Sequence, residues 1–357
     1  MKVIALNSSA RIGGESKTEY MQEHLLKGMQ EAGAQVEVIN LYQKKIKHCI
    51  GCFTCWTKTP GKCIHNDDMT SEILPKYLDA DIAVLATPLY KYSVSSIMKT
   101  FMDRALPALM PFFVEKDGVT SHPYRHEIPE IVLLSVAGFP EDSVFVPLHV
   151  LATKYYNNKL LAEIYRPGAE AMVRAAKAGK ASSANDIMEA TVQAGRELVE
   201  HRKISKKTMD RVLKPFGNLE TLPPLVNAFW QSCIDEKVTP KQFEAKGMVP
   251  RPPSIDVFIK IMKMGFNSKN AGDTNAVIAF EFSGKVTGDC YFTIKDGKCK
   301  SETGKAKKPD LTIMTPFEVW MDILTKKVDG AQMFTEEKYK VEGDITLLMK
   351  IKELFGR

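Results

Sequence analysis

The sequence predicts an α/β protein, a parallel β-sheet covered on both faces by helices, followed by a smaller α+β domain. Three observations carry this reading. Short runs rich in Val, Ile and Leu alternate with helix-period stretches through the first part of the chain, as a parallel sheet with crossover helices requires. Residues 238–254 then hold four prolines and no sustained period. Beyond them, apolar residues alternate between Ser-Gly and Asp-Gly turn signals, an antiparallel pattern. At 357 residues and 44% hydrophobic content, the chain is long enough for two cores.

The first unit reads in order. Lys2 to Leu6 has the length and Val/Ile content of a buried strand, and Met21, Leu25 and Met29 mark one face of a helix that Gly33 ends. Gln35 to Leu41, Asp81 to Thr87, Glu130 to Val136 and Leu160 to Tyr165 read as further strands. Ser95 to Leu106 and Val144 to Tyr156 read as helices between them. Three strand ends converge in such a sheet, those leading to the Ser9, Pro88 and Ser135 loops, and ligands bind in the crevice at the carboxyl ends of the strands.

Each of these loops has a chemistry of its own. In the first, Ser9, Arg11, Ser16 and Thr18 sit at a strand-to-helix junction, where unpaired backbone N–H groups of the first helical turn and the nearby hydroxyls suit a phosphate. The same pattern also fits an ordinary N-capped helix after a polar turn. In the second, TPLYKYSVSSIMKTFMDR, Pro88 leaves the strand and Tyr90 and Tyr92 offer flat faces that suit a planar ring system. In the third, SVAGFPED, Gly138 allows close backbone approach beside Phe139.

Charge and compartment narrow the classes. The net charge of +6 comes from 49 basic and 43 acidic residues interleaved along the chain. No nucleic-acid partner is therefore expected. The N-terminal apolar run is too short for a signal peptide and no run reaches bilayer-spanning length, so a cytoplasmic protein is expected. Four of the seven cysteines lie between Cys49 and Cys63, a crowding that in a reducing compartment points to metal or redox chemistry.

In their order and spacing, SSAR..GESKT, TPLYKYSVSSIMKTFMDR and SVAGF resemble the NADPH-dependent FMN reductase and iron-sulfur flavoprotein family. That resemblance implies a flavodoxin-like doubly wound sheet and runs to about residue 235, where IYRPGAE and LVNAFW resemble the family's helical extension. It implies a first domain over 1–237 and a homo-oligomer. It also implies that Ser9, Arg11, Ser16, Lys17 and Thr18 hold the FMN phosphate. Pro88, Leu89, Tyr90, Lys91, Tyr92 and Ser93, with Ser135, Ala137, Gly138 and Phe139, would border the isoalloxazine ring. Asn7-Ser8 departs from the Gly-Ser-type opening usual in relatives.

The cysteine loop, CIGCFTCWTKTPGKC, has a C-x2-C-x2-C-x7-C spacing. Two overlapping C-x-x-C units let adjacent thiolates meet one centre, and Pro60-Gly61 supplies a turn that returns Cys63. A 4Fe-4S cluster on Cys49, Cys52, Cys55 and Cys63 explains all four together. Zinc, free thiols and a redox-active pair remain open alternatives. Iron-sulfur flavoproteins carry a similarly compact motif, and many plain flavin reductases share GCxxCW.

After the linker at 238–254, residues 255–357 begin with a helical face of Ile255, Phe258, Ile259 and Met262. The alternating runs Ala276 to Phe282 and Cys290 to Ile294 follow, and an antiparallel sheet is expected. KPDLTIMTPFEVWMDILTKKVDGAQMFTEEKYKVEGDITLLMKIKELF resembles the sterol carrier protein type two domain, which implies a hydrophobic ligand in a tunnel between sheet and helices. Relatives commonly have Gly in the turn at Thr325-Lys326-Lys327. The stripe Leu347, Leu348, Ile351, Leu354 and Phe355 also fits simple core packing.

The function expected is an FMN oxidoreductase that takes a hydride from NADH or NADPH and passes electrons to a small-molecule or protein acceptor, with flavin carrying the chemistry. No side chain is assigned a catalytic role. The alternative is a non-enzymatic FMN electron carrier, or a lipid-binding protein working through its C-terminal domain.

Overall fold

The computed structural model describes residues 1–356 apart from Ile12, Asp117, 178–181 and 217–221. By contacts it divides into two compact units, Met1–Gly217 and Asn218–Arg357. The first unit runs β1 (Lys2–Asn7), α1 (Lys17–Glu31), β2 (Gln35–Asn40), α2 (Leu74–Leu78), β3 (Ile82–Pro88) and α3 (Ser96–Arg104). A small hairpin of β4 (Val114–Lys116) and β5 (Val119–Ser121) comes next. Then follow β6 (Glu130–Val136), α4 (Val146–Tyr156), β7 (Leu160–Arg166), α5 (Ala169–Lys177), α6 (Ser182–His201) and α7 (Lys206–Val212).

Five strands form one parallel sheet in the order β2-β1-β3-β6-β7, the flavodoxin-like winding. The strands β1, β3 and β6 are buried on both faces, which is why they read as unbroken apolar runs. One set of alternate residues, with Val3, Val84 and Val132, packs under α1, α5 and α6. The other set, with Leu6, Leu85 and Leu133, packs under α2, α3 and α4. Helices α1 and α6 cross at two glycines: a Cβ on Gly28 would lie 1.8 Å from the Val192 carbonyl oxygen, and one on Gly195 2.0 Å from that of Leu25.

The second unit runs α8 (Leu222–Asp235), α9 (Pro240–Ala245), α10 (Ile255–Gly265), α11 (Ser268–Ala271), β8 (Ala276–Ser283), β9 (Gly288–Lys295), β10 (Lys298–Thr303) and β11 (Leu311–Pro316). It ends with α12 (Phe317–Leu324), α13 (Gly330–Thr335), β12 (Lys340–Gly343) and α14 (Ile345–Phe355). Its sheet has the order β10-β9-β8-β11-β12. Contrary to expectation it is mixed, because β11 pairs with β8 in parallel. After the β8-β9-β10 meander the chain returns to the start of β8 before laying down β11 on its other side. Alternation reports which face a residue occupies and not which way its strand runs.

Two further differences concern 218–254. Helix α8 packs against α10 and groups with the second unit, so the contact boundary falls near 217 and not at 237. The proline-rich stretch contains α9, started by a capping box in which Thr239 accepts from the Gln242 amide and Gln242 accepts from the Thr239 amide. Arg251 then donates its backbone N–H to Ser232 Oγ at 2.7 Å and its guanidinium to Asp322. Those bonds stitch the stretch to the unit. Phe258, Phe280, Phe292, Trp320 and Phe355 fill the space between sheet and helices, and the Leu347 and Leu354 side of α14 closes over them. Among the described residues, no helix is long and apolar enough to cross a membrane.

Candidate functional site

The order of the first sheet reverses between β1 and β3, the switch point at which open α/β sheets form a ligand crevice outside the carboxyl ends of their strands. Hydrogen bonds join the loops to one another. Ser95 Oγ donates to the Ser8 carbonyl at 3.1 Å, and the Ser95 N–H donates to Thr87 Oγ1 at 3.0 Å. The Leu89 N–H donates to the Val136 carbonyl at 2.9 Å, and that of Ala137 to Arg166 at 3.0 Å. The crevice is thus built by one continuous polar seam, of which Ser95, Thr87 and Ser8 were invisible to sequence reasoning.

In the first loop, Asn7 ties the end of β1 to α1. It is buried, donates through Nδ2 to Gln22 on α1 at 2.7 Å, and accepts the Ser9 N–H at 2.8 Å. Ser9 Oγ accepts the Arg11 N–H at 3.3 Å, and Ser16 is the N-cap of α1, accepting the Glu19 N–H at 3.0 Å. Ser9, Ser16 and Thr18 are buried beside the helix N-terminus, while the Arg11 head is exposed. Ile12 in this loop lies outside the described residues. Glu170 at the start of α5 reaches across, 2.8 Å from Lys17 and 3.8 Å from Arg11, so both cations already face an anion.

Between Tyr90 and Ser93 the backbone closes a two-residue hairpin by reciprocal bonds of 3.0 Å, with Lys91 and Tyr92 both at positive φ (50° and 62°). This is the type I′ arrangement, which usually takes Asn and Gly. Holding a lysine and a tyrosine there stores strain of about 1–3 kcal/mol each, a cost that clusters at ligand sites. The Tyr90 and Tyr92 side chains are 49% and 51% exposed and Phe139 is 58% exposed, so three flat rings stand free on the loops around the crevice. A Cβ on Gly138 would meet nothing within 4 Å. Ser135 and Ala137 are buried beneath the loop surface, and among the described residues the Ser135 hydroxyl has no partner. Pro88 is buried at the end of β3, and Leu89, Lys91 and Ser93 complete the hairpin.

The cysteine loop lies along α3. His48 Nδ1 is 3.0 Å from Thr100 Oγ1 at mid-helix, and Trp56 Nε1 donates to the Leu106 carbonyl beyond its end. As α3 follows its N-cap, the seam residue Ser95, and spans nine residues, its two ends are about 13 Å apart. Cys49, Cys52, Cys55 and Cys63 line a single cavity walled by Ile50, Phe53, Ile64 and Leu106. All seven cysteines are free thiols. Burial, then the neighbouring charges of Cys63, Cys49 and Cys52, push the Cys55 thiol up, whereas hydrogen bonds from Thr54 hold Cys52 down. Among the described residues, no three His, Cys, Asp or Glu side chains converge on one metal ion. Four thiols lining one cavity are a donor set of the kind that holds iron-sulfur or zinc centres.

Comparison with known proteins agrees with this division. Residues 1–116 match the family model described as NADPH-dependent FMN reductase, and residues 267–356 match the SCP-2 sterol transfer family. An iron-sulfur flavoprotein of Archaeoglobus fulgidus is 39% identical over 108 residues, 30% of this chain and 46% of that protein. Another from Methanocaldococcus jannaschii is 36% identical over 104 residues, 29% of this chain and 50% of its own length. The chain therefore spans about half the length of the curated relatives it matches. Among solved structures, an NAD(P)H:quinone oxidoreductase from Methanothermobacter marburgensis is 18% identical, with a TM-score of 0.41 over 56% of this chain and 98% of that one.

Proposed function

We propose that this chain is an FMN-dependent NAD(P)H oxidoreductase that passes electrons to a second acceptor, a quinone or protein, through a 4Fe-4S centre on its four clustered cysteines. The observation that carries the reading is the crevice at the β1/β3 reversal. Its three loops are pinned to one another by hydrogen bonds, and one of them is a strained hairpin flanked by free aromatic faces. The family match of residues 1–116 supports FMN as the ligand and a nicotinamide as donor. The relatives' description as iron-sulfur flavoproteins, together with the shared cavity of the four thiols, supports the cluster.

When bound, FMN would supply the hydride-accepting chemistry. Everything else falls to the chain. Ser9, Ser16 and Thr18 with the α1 N-terminus would receive the phosphate, and Arg11 and Lys17 would turn toward it from Glu170. Pro88 to Ser93 and Gly138 to Phe139 would hold the ring from two sides, with Ser135 and Ala137 beneath them. The pinned seam keeps these loops from reorganising as charge develops. Thiolate ligands at Cys49, Cys52, Cys55 and Cys63 would let electrons leave singly.

For the second unit, the match of residues 267–356 supports a hydrophobic ligand, which would have to displace part of the aromatic filling around Phe280 and Trp320. A homo-oligomer and a cytoplasmic setting complete the proposal. The test is NADH and NADPH oxidation by protein purified without oxygen, with menadione as acceptor. Turnover that requires FMN supports the reading, and FMN-loaded protein inert toward both nicotinamides would reduce it to an electron carrier.

A further inference from the structure

Trp320 lies on the face of α12 that enters the core of the second unit with Phe317 and Met321, and it is 5% exposed. Its ring meets those of Phe280 and Tyr339 edge to face, at centroid distances of 5.1 and 5.7 Å. The indole nitrogen Nε1 is buried and has no partner. Among the described residues, it is the one buried side-chain nitrogen or oxygen of this unit left in that state. A buried indole N–H ordinarily finds an acceptor, so an orphaned one calls for an explanation.

The rings beside it do not supply one. An enclosed water needs about two to four polar partners. Phe280 offers none, and the Tyr339 hydroxyl already donates to the Gly330 carbonyl at 3.1 Å. Charge is missing as well. Among the described residues, the buried polar side chains of this unit are Ser232, Thr312 and Thr315, and none of them is ionic. A ligand with an ionised head group would lose its hydration there and find no counter-charge, whereas a neutral oxygen needs only a donor.

We propose that the second unit takes an apolar ligand bearing a neutral carbonyl group, as a quinone or an acyl ester does, and that the carbonyl oxygen accepts the Trp320 indole N–H. This rests on the reading given above that the unit holds a hydrophobic ligand. The consequence is specificity. Apolar walls select by shape and area, and a single placed donor fixes orientation among them. A hydrocarbon of the same outline leaves the N–H unpaired, and a carboxylate brings a charge that nothing buried offsets.

The test is nuclear magnetic resonance of the full chain labelled with heavy nitrogen in its three tryptophans, without any nicotinamide present. Loss of one indole signal in Trp320→Phe identifies Trp320. Should that variant fail to fold, Trp56→Phe and Trp230→Phe identify the other two signals and leave the third. Two pairs of probes with matched outlines are added, duroquinone against durene and methyl decanoate against dodecane. A carbonyl probe should move the Trp320 N–H proton downfield and slow its exchange with solvent by about tenfold, as an ordinary hydrogen bond does. Its hydrocarbon partner should shift the signal without slowing exchange. An effect from duroquinone alone, or from the ester alone, supports the proposal and names the source of the carbonyl. Equal slowing by a carbonyl probe and its hydrocarbon would overturn the role of the N–H and leave the hydrophobic-ligand reading standing. Tighter binding of decanoate than of methyl decanoate would overturn the neutral carbonyl. A Trp320 signal that no probe disturbs would sink the hydrophobic-ligand reading, and the proposal with it.

Discussion

The Ser95 hydroxyl donates to the Ser8 carbonyl at 3.1 Å, so the N-cap of α3 is bonded to the residue that follows the first strand. Both side chains are fully buried, and Ser95 also draws its own N–H into the seam through Thr87. One buried hydroxyl thus fixes the width of the crevice where the sheet order reverses. Ser95→Ala removes this tie. We expect a loss of about 1–2 kcal/mol in urea unfolding and several-fold weaker FMN binding by flavin fluorescence. Lost stability with unaltered FMN affinity would show that the seam does not shape the site.

Arg11 and Glu170 should act in opposite directions. If Arg11 meets the phosphate as proposed, Arg11→Ala would delete a charge-assisted contact and should weaken FMN binding by about 30-fold, on the order of 2 kcal/mol. Glu170→Gln removes the anion that competes for Lys17 and Arg11, and should tighten FMN several-fold. Titration of both variants with FMN at one ionic strength checks the pair.

The α1/α6 crossing gives a test of packing alone. In Gly28→Ala the new methyl would meet the Val192 carbonyl oxygen, which belongs to rigid helix backbone. The helices would have to part, at a cost of about 3 kcal/mol. The expected result is a lower urea midpoint with FMN binding retained below the transition.

Acid should release the buried ion pair of Asp67 with Arg104. Burial acts to raise the Asp67 pKa, but the hydrogen bonds and charge of Arg104 and the amides of Lys47 and Thr70 outweigh it and hold the carboxyl below the usual range. A depressed folded pKa gives stability that is complete above the unfolded value of about 3.9 and is lost as pH falls toward the folded one. Urea midpoints should therefore drop below about pH 4. Asp67→Asn should be less stable at neutral pH and should lose part of that acid dependence.

Much of the first fold was legible because its signals are local. Glu130–Val136 was read with the bounds the strand has, since a strand buried on both faces is an uninterrupted apolar run. The same holds for the Ser9, Pro88 and Ser135 loops, whose positions follow from strand order. What was missed depends on partners distant in sequence. Glu170 lies more than 150 residues from Arg11, and neither Arg104 nor Asp67 announces that it is buried and paired. The parallel pairing of β8 with β11 escaped for the same reason. Helix α9 escaped differently: a cluster of prolines reads as a breaker, although Pro240 stands at a first helical position, where its missing N–H costs nothing.

The central claim is that the β1/β3 crevice holds FMN. Its most direct test is the visible spectrum of the full chain purified without oxygen, recorded for the unchanged protein and for Cys52→Ala. The account expects flavin bands near about 370 and 450 nm in both. A broad iron-sulfide absorption should appear only in the unchanged protein. A colourless protein that takes up no added FMN would contradict the account.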